Sequence, residues 1–308
     1  IVSMNFEVFP EFAEKILKKL SSDKNSQVRH SVGIVIAENF ETLQKISENL
    51  IRKLSDDSDY RVRLIVGEII YENLEDFSNF PNDLIHQLSN DVDYRVKNII
   101  CQLIAEKIEQ FTKIPYGIIT HLSKDKDVNV RISVGDILTK NFEVFPRFAE
   151  RIITKFIEDD ELAVKKALGN KFANIFVKKP HLAEEYIKML SGYEDEDLQI
   201  LIGNIFSLLY SRSEILAEKL LRNLSESEDV DLRYSACEII NLNYNSFPDL
   251  SLELLSELVS DSDYDIKITA EKILNQEIHG EIDIEHELTE MNVSFEEWQG
   301  DGWYDEIE

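Results

Sequence analysis

Two cysteines in 308 residues leave no disulfide framework to hold this chain together. Basic residues are scarce in one region. Residues 191–308 hold 6 against 30 acids, a balance of −24, whereas residues 1–190 hold 27 against 30, a balance of −3. No run of about 18 apolar residues occurs, so the sequence predicts no membrane span. The glycine-rich phosphate loops GxGxxG and GxxxxGK(S/T), the HExxH zinc helix and the GxSxG nucleophile turn are all missing. Those absences remove the commonest nucleotide-binding, metalloprotease and hydrolase readings. The six histidines include no close pair at metal-ligand spacing on a helix, and His279 and His286 lie among acids near the C-terminus. The expectation is a non-enzyme with no catalytic residue, no metal and no cofactor.

The dominant feature present is a repeat of 34 residues. Stepping from Leu54 gives Leu20, Leu54, Leu88, Leu122, Phe156, Leu190, Leu224 and Leu258. Eight positions on stand Val28, Val62, Val96, Val130, Val164, Leu198, Leu232 and Ile266. The next residue is basic in seven of eight repeats: Arg29, Arg63, Lys97, Arg131, Lys165, Arg233 and Lys267, with Gln199 the exception. Four residues before it comes an acid or its amide: Asn25, Asp59, Asp93, Asp127, Glu161, Asp195, Asp229 and Asp263. A fixed period of this length marks a solenoid.

Each repeat reads as two helices. In the first, Phe12, Ile16, Leu17 and Leu20, then Ile46, Leu50, Ile51 and Leu54, make one stripe of a 3.6-residue helix. Val62, Val66, Ile69 and Ile70 make one face of the second. The acids ahead of that helix suit its N-terminus, where side-chain oxygens accept from free backbone N–H groups. Prolines 10, 146, 180 and 248, and at a second register 81 and 115, mark starts of first helices, where a missing N–H costs nothing. One second-helix position is small in most repeats: Gly33, Gly67, Cys101, Gly135, Gly169, Gly203 and Cys237. Glycine inside a helix costs roughly 1 kcal/mol, so its recurrence predicts that another helix backbone passes close by. Cys101 and Cys237 share this register four repeats apart. Stacked helices stand roughly 8–10 Å apart, so the two cannot form a disulfide and suit a reducing cytoplasm.

Helix pairs with Asp-x-x-x-(Arg/Lys) across the inner turn, and Val-Arg-x-x-(Val/Ile)-Gly in the second helix, resemble HEAT repeats. The short regular unit is most similar to the PBS-lyase HEAT-like kind. The resemblance covers about residues 1–277 and recurs eight times. It implies an all-α, right-handed α-solenoid of about eight two-helix repeats. It also implies a ladder between neighbouring repeats, here Asp59, Asp93, Asp127, Asp229 and Asp263 with Arg63, Lys97, Arg131, Arg233 and Lys267; Gln199 departs from it. Tetratricopeptide repeats share the period, but their Trp/Leu-Gly/Tyr pattern is absent. Deoxyhypusine hydroxylase, a HEAT-like metal enzyme, repeats His-Glu pairs, of which only His286-Glu287 occurs here. HEAT-like DNA glycosylases use a basic concavity with aromatics. An acidic chain with its tryptophans at 298 and 303 argues against nucleic acid. Phycobilin lyases share the repeat type without a specific match.

The opening residues, Ile1 to Asn5, align with Val35 to Asn39, so the sequence begins inside what should be a second helix, and the first repeat reads as truncated. From residue 278 to 308 the period stops. This tail interleaves acids with Phe295, Trp298, Trp303 and Tyr304. It reads as a cap folded back on the last repeat, or as a docking segment that orders on a partner.

In HEAT-like solenoids the second helices line the concave side. Polar positions expected there include Arg61, Arg95, Asn98, Gln102, Asn129, Asp136, Lys166, Asn170, Asn204, Glu238 and Lys272, with Leu64, Tyr71, Ile132, Ile200 and Tyr234 as exposed apolar or aromatic neighbours. Asp231 adds acidic charge on the C-terminal side, and Trp298 and Trp303 are the tail's candidate contacts. The functional expectation is a cytoplasmic protein-protein interaction scaffold with a basic or extended protein partner held on the concave or acidic C-terminal surface. The alternative is an acidic inhibitor or immunity-type protein that blocks a basic toxin or nuclease.

Overall fold

Acids and amides placed just before each apolar stripe start the second helices. The computed structural model describes residues 10–276 except 78, 192, 194 and 195. Asn25, Asp59, Asp93, Asp127 and Asp229 sit in extended backbone conformation and accept from the N–H two residues on, at 2.9–3.0 Å. Asp263 does the same for the Asp265 N–H at 3.0 Å. Prolines 146, 180 and 248 occupy first helical turns, as their fixed φ allows.

The result is a series of antiparallel hairpins: α1 (Pro10–Leu20) with α2 (Ser26–Glu38), α3 (Phe40–Ser55) with α4 (Tyr60–Asn73), α5 (Asn82–Ser89) with α6 (Tyr94–Lys107), and α7 (Tyr116–Leu122) with α8 (Val128–Lys140). There follow α9 (Pro146–Ile157) with α10 (Leu162–Lys178), α11 (Pro180–Leu190) with α12 (Glu196–Arg212), α13 (Glu214–Ser225) with α14 (Val230–Asn243), and α15 (Pro248–Leu258) with α16, residues 264–276. No strand occurs among the described residues. The fold is an all-α solenoid. Packing divides it into two compact units, Ile1–Ile175 and Phe176–Glu308, with the division inside α10.

Within the N-terminal unit, second helices pack on second helices, α2 on α4, α4 on α6 and α6 on α8; in the C-terminal unit α12 packs on α14. Val62, Val66, Ile69 and Ile70 are fully buried, as are Ile51 and Leu54 from the first helix of that hairpin. Each such side chain contributes about 1.5–3 kcal/mol of burial. In α1 the stripe is corrected at Phe12, which is 66 % exposed; Leu17 is buried as expected, and Ala13 takes the buried place beside it. The side chain of Ile46 lies outside the described residues.

The small-residue column has a cause different from the expected one. A Cβ at Gly33 would lie 2.5 Å from the Ile65 side chain, and one at Gly203 would lie 2.7 Å from Leu242. Gly67 and Gly135 are covered in the same way by Ile99 and Leu168. The neighbour is a branched side chain from the next second helix, nested in the notch, and not a helix backbone. At the eighth hairpin the register holds Glu271.

The ladder is also shifted. Its acids are not Asp59, Asp93 or Asp127, which cap their own helices, but the aspartates two residues earlier. Arg29 binds Asp57 at 2.5 and 2.7 Å, Arg63 binds Asp91 at 2.5 and 2.7 Å, and Arg131 binds Asp159 at 2.8 and 2.9 Å. Lys97 reaches Asp125 at 2.5 Å, and in the C-terminal unit Arg233 binds Asp261 at 2.7 and 3.0 Å. Each acid also accepts from its own turn: the Asp59 N–H donates to Asp57 at 2.9 Å and the Asp93 N–H to Asp91 at 2.8 Å. Each arginine in turn donates to a carbonyl of its own turn, as Arg63 does to the Asp57 oxygen at 2.7 Å. One side-chain pair thus ties together two inter-helix turns. The acid register carries Tyr193 and Ser227 in the sixth and seventh hairpins. Gln199 there donates to the Tyr193 carbonyl of its own hairpin at 3.2 Å.

Candidate partner-binding face

The second helices bury one side against their neighbours and leave the other open. Within each unit, three registers of the 34-residue step fall on that open side of the second helices. The first is Arg61, Arg95, Asn129, Ala163, Asp197, Asp231 and Asp265. Three residues on runs Leu64, Asn98, Ile132, Lys166, Ile200, Tyr234 and Ile268, and four further on Glu68, Gln102, Asp136, Asn170, Asn204, Glu238 and Lys272.

In the N-terminal unit α6 and α8 bring Arg95, Asn98, Gln102 and Asp136 together around a depression of about 600 Å³, floored by Leu64 and Ile99. Its charges are engaged within the chain. Arg95 donates to Asp93 at 3.0 and 2.8 Å and to the Tyr60 hydroxyl at 2.8 Å, with its guanidinium carbon 3.5 Å from the Tyr60 ring centre. Arg61 is held by Asp59 in the same way, at 3.1 and 2.7 Å. Tyr71 lies outside the lining and donates to Glu106, which lines the depression and also takes the Lys140 ammonium at 2.9 Å. The Tyr71 hydroxyl and then Lys140 hold the Glu106 carboxyl below the usual range. Lys171 pairs with Asp136. Asn129 donates to Asp127 at 3.1 Å, and Asn98 Oδ1 is buried without a hydrogen-bond partner. Asn170 is exposed on α10, outside the depression.

The C-terminal unit differs. Asn204 on α12, and Asp231, Tyr234 and Glu238 on α14, share one open surface with three residues that sequence reasoning passed over: Asp197, Asp265 and Ile268. The signal was available, because Asp197 and Asp265 lie one period either side of Asp231. All three aspartates are exposed. No ion pair forms on Asp231 or Asp265 among the described residues. Beside them Ile200, Tyr234 and Ile268 are 43 %, 37 % and 42 % exposed. Tyr234 is the central member. Burial first, and then the Glu238 carboxylate, push its phenol above the ordinary value. Residues 176–276 carry 9 basic and 20 acidic residues, a balance of −11, against −4 for residues 1–175.

Trp298, Trp303 and the rest of the 278–308 tail lie outside the described residues. Among the described residues no group of three or more His, Cys, Asp or Glu is placed to hold a metal ion, and no helix is long and apolar enough to cross a membrane.

No family model matches the chain, and no curated protein resembles it by sequence. Solved structures do resemble it. A mutant of Kap121p, in which three acidic residues are replaced by lysine, superimposes with a TM-score of 0.56 at 13 % identity over 89 % of this chain and 34 % of that one. Unmutated Kap121p gives 0.54 at 13 % identity, over 86 % and 32 %. YibA of Escherichia coli gives 0.44 at 16 % identity, over 89 % and 97 %. The chain therefore spans about a third of the length of the Kap121p structures it matches. Kap121p is a karyopherin built as a HEAT-repeat solenoid, and the likeness shows that this chain has a HEAT-like repeat fold.

Proposed function

We propose that the chain is a non-enzymatic protein-interaction scaffold of the cytoplasm, and that the open face of its C-terminal unit takes a basic protein partner. The observation that carries this reading is the row of Asp197, Asp231 and Asp265 beside an exposed apolar stripe. Exposed apolar side chains in a line mark contact surfaces, and charge of one sign alongside them steers and selects an oppositely charged partner. The N-terminal unit offers less, because its row residues Arg61 and Arg95 are already bound to Asp59 and Asp93. The resemblance to HEAT-repeat scaffolds supports a protein partner over a small-molecule substrate.

The test uses lysine-rich fluorescent peptides and the full chain. Asp231→Lys with Asp265→Lys is expected to weaken binding at least tenfold, whereas Glu109→Lys on the N-terminal unit leaves it unchanged. Raising salt from about 50 to about 300 mM is expected to weaken it as well, since the Debye length shrinks below the spacing of exposed charges. Binding that ignores both the reversals and the salt would remove this reading.

A further inference from the structure

The geometry points to an amphipathic α-helix with basic residues repeating every seven positions as the partner that lies across the second helices of the C-terminal unit. This inference rests on the proposed function and names the shape of the partner. Three features of the face lead to it.

The first is spacing along the row. Packed helices stand about 8–10 Å apart, so Asp197, Asp231 and Asp265 recur at about that interval across α12, α14 and α16. Seven residues of a helix advance about 10.5 Å. A partner helix laid across the row can therefore bring residues i, i+7 and i+14 to successive aspartates from one side of its surface.

The second is width. Asp231 and Glu238 are seven residues apart on α14, so the charged row and the Asn204, Glu238, Lys272 row are separated by about 10.5 Å along the helix axis. Between them lies the stripe of Ile200, Tyr234 and Ile268. A helix is about 10–12 Å across with its side chains, so one helix fills this strip. It would rest apolar residues on the stripe and present lysines or arginines to the aspartates.

The third is the chemistry of the stripe. An extended chain exposes an N–H and a C=O at every residue, and each needs a partner when covered. Two isoleucines and a tyrosine offer almost none. A helix satisfies its own backbone and asks only for apolar contact. The chain's own tail is a poor rival, because residues 277–308 contain 12 acids and no lysine or arginine. A second copy, at −27 in all, is repelled in the same way.

The experiment compares two fluorescent peptides of about 21 residues, three heptads long. One carries leucine at a and d with lysine at e and g; the other keeps the same number of lysines in scrambled order and has two central leucines replaced by proline. Against the full chain, the heptad peptide is expected to bind at least tenfold more tightly and to gain helical circular dichroism on binding. Ile200→Asp, Ile268→Asp and Tyr234→Ser should each weaken it severalfold at a temperature where circular dichroism shows the variant still folded, since each side chain is more than a third exposed. Equal affinity for the two peptides overturns the helical partner and leaves the basic-partner reading standing. Failure of both peptides to bind overturns both.

Discussion

Asp91→Ala isolates the contact that ties one hairpin to the next. Asp91 accepts from Arg63 at 2.5 and 2.7 Å and from the Asp93 N–H at 2.8 Å. The Arg63 and Asp91 side chains are only 12 % and 7 % exposed. Removing one member of so buried a pair strands the other charge, at a cost of about 3–5 kcal/mol. Arg63 keeps its bond to the Asp57 carbonyl at 2.7 Å, so the low end, about 3 kcal/mol, is expected. Asp93→Ala removes only a helix cap and an exposed pair with Arg95, and should cost about 1 kcal/mol. Urea unfolding of the two variants ranks them. A double-mutant cycle between Arg63→Met and Asp91→Leu should give a coupling of about 1–3 kcal/mol, and the double variant should recover most of the loss because neither charge is left alone. A larger loss from Asp93→Ala, or stronger coupling of Arg63 to Asp93 than to Asp91, would refute the assignment of the ladder.

The ladder also predicts acid sensitivity. Burial alone would raise the Asp57 and Asp125 carboxyls, but hydrogen bonds from Arg29 and Lys97 and from backbone N–H groups more than offset it, and Arg233 lowers Asp261 directly. Carboxylates with lowered native pKa values stabilise the fold fully above the unfolded value of about 3.9. That contribution is lost as pH falls through the lower native values, so melting temperature should drop steeply below about pH 4. Burial pushes both the Cys101 and Cys237 thiols up to about 12, so neither should react with a thiol reagent at pH 8 until the chain is unfolded in denaturant. Gly67→Ala and Gly117→Ala should move stability in opposite directions. The first drives a methyl into Ile99 and should lose about 1 kcal/mol net of its gain in helix propensity, whereas the second meets nothing within 4 Å and should gain about 0.5 kcal/mol in a urea melt.

Much of the fold was legible because it repeats. The 34-residue step located the hairpins, the burial of Val62, Val96, Val130, Val164, Leu198 and Ile266, the caps at Asn25, Asp59, Asp93, Asp127, Asp229 and Asp263, and the proline starts, each of which is a local consequence of helix geometry. What periodicity could not rank was two columns with the same period and the same chemistry. Asp57 and Asp59 recur together in most repeats, and only the reach of Arg29 from the preceding hairpin selects the earlier one. The same limit hid which open-face charges are available. Arg61 and Arg95 look like contact residues in sequence, but folding turns each onto the aspartate two positions back. Among the described residues Asp231 in the same register forms no ion pair, and that contrast is what the proposed partner surface rests on.

Glu271 has a consequence for assembly. Among the described residues second helices offer their successors a notch in which a side chain can nest. At Gly33, Gly67, Gly135 and Gly203 that notch receives a neighbour's branched side chain. A carboxylate in this register would have to be dehydrated beside hydrocarbon before a branched side chain could nest against α16 as Ile65 nests at Gly33, so α16 is a poor seat for a second helix of the same kind.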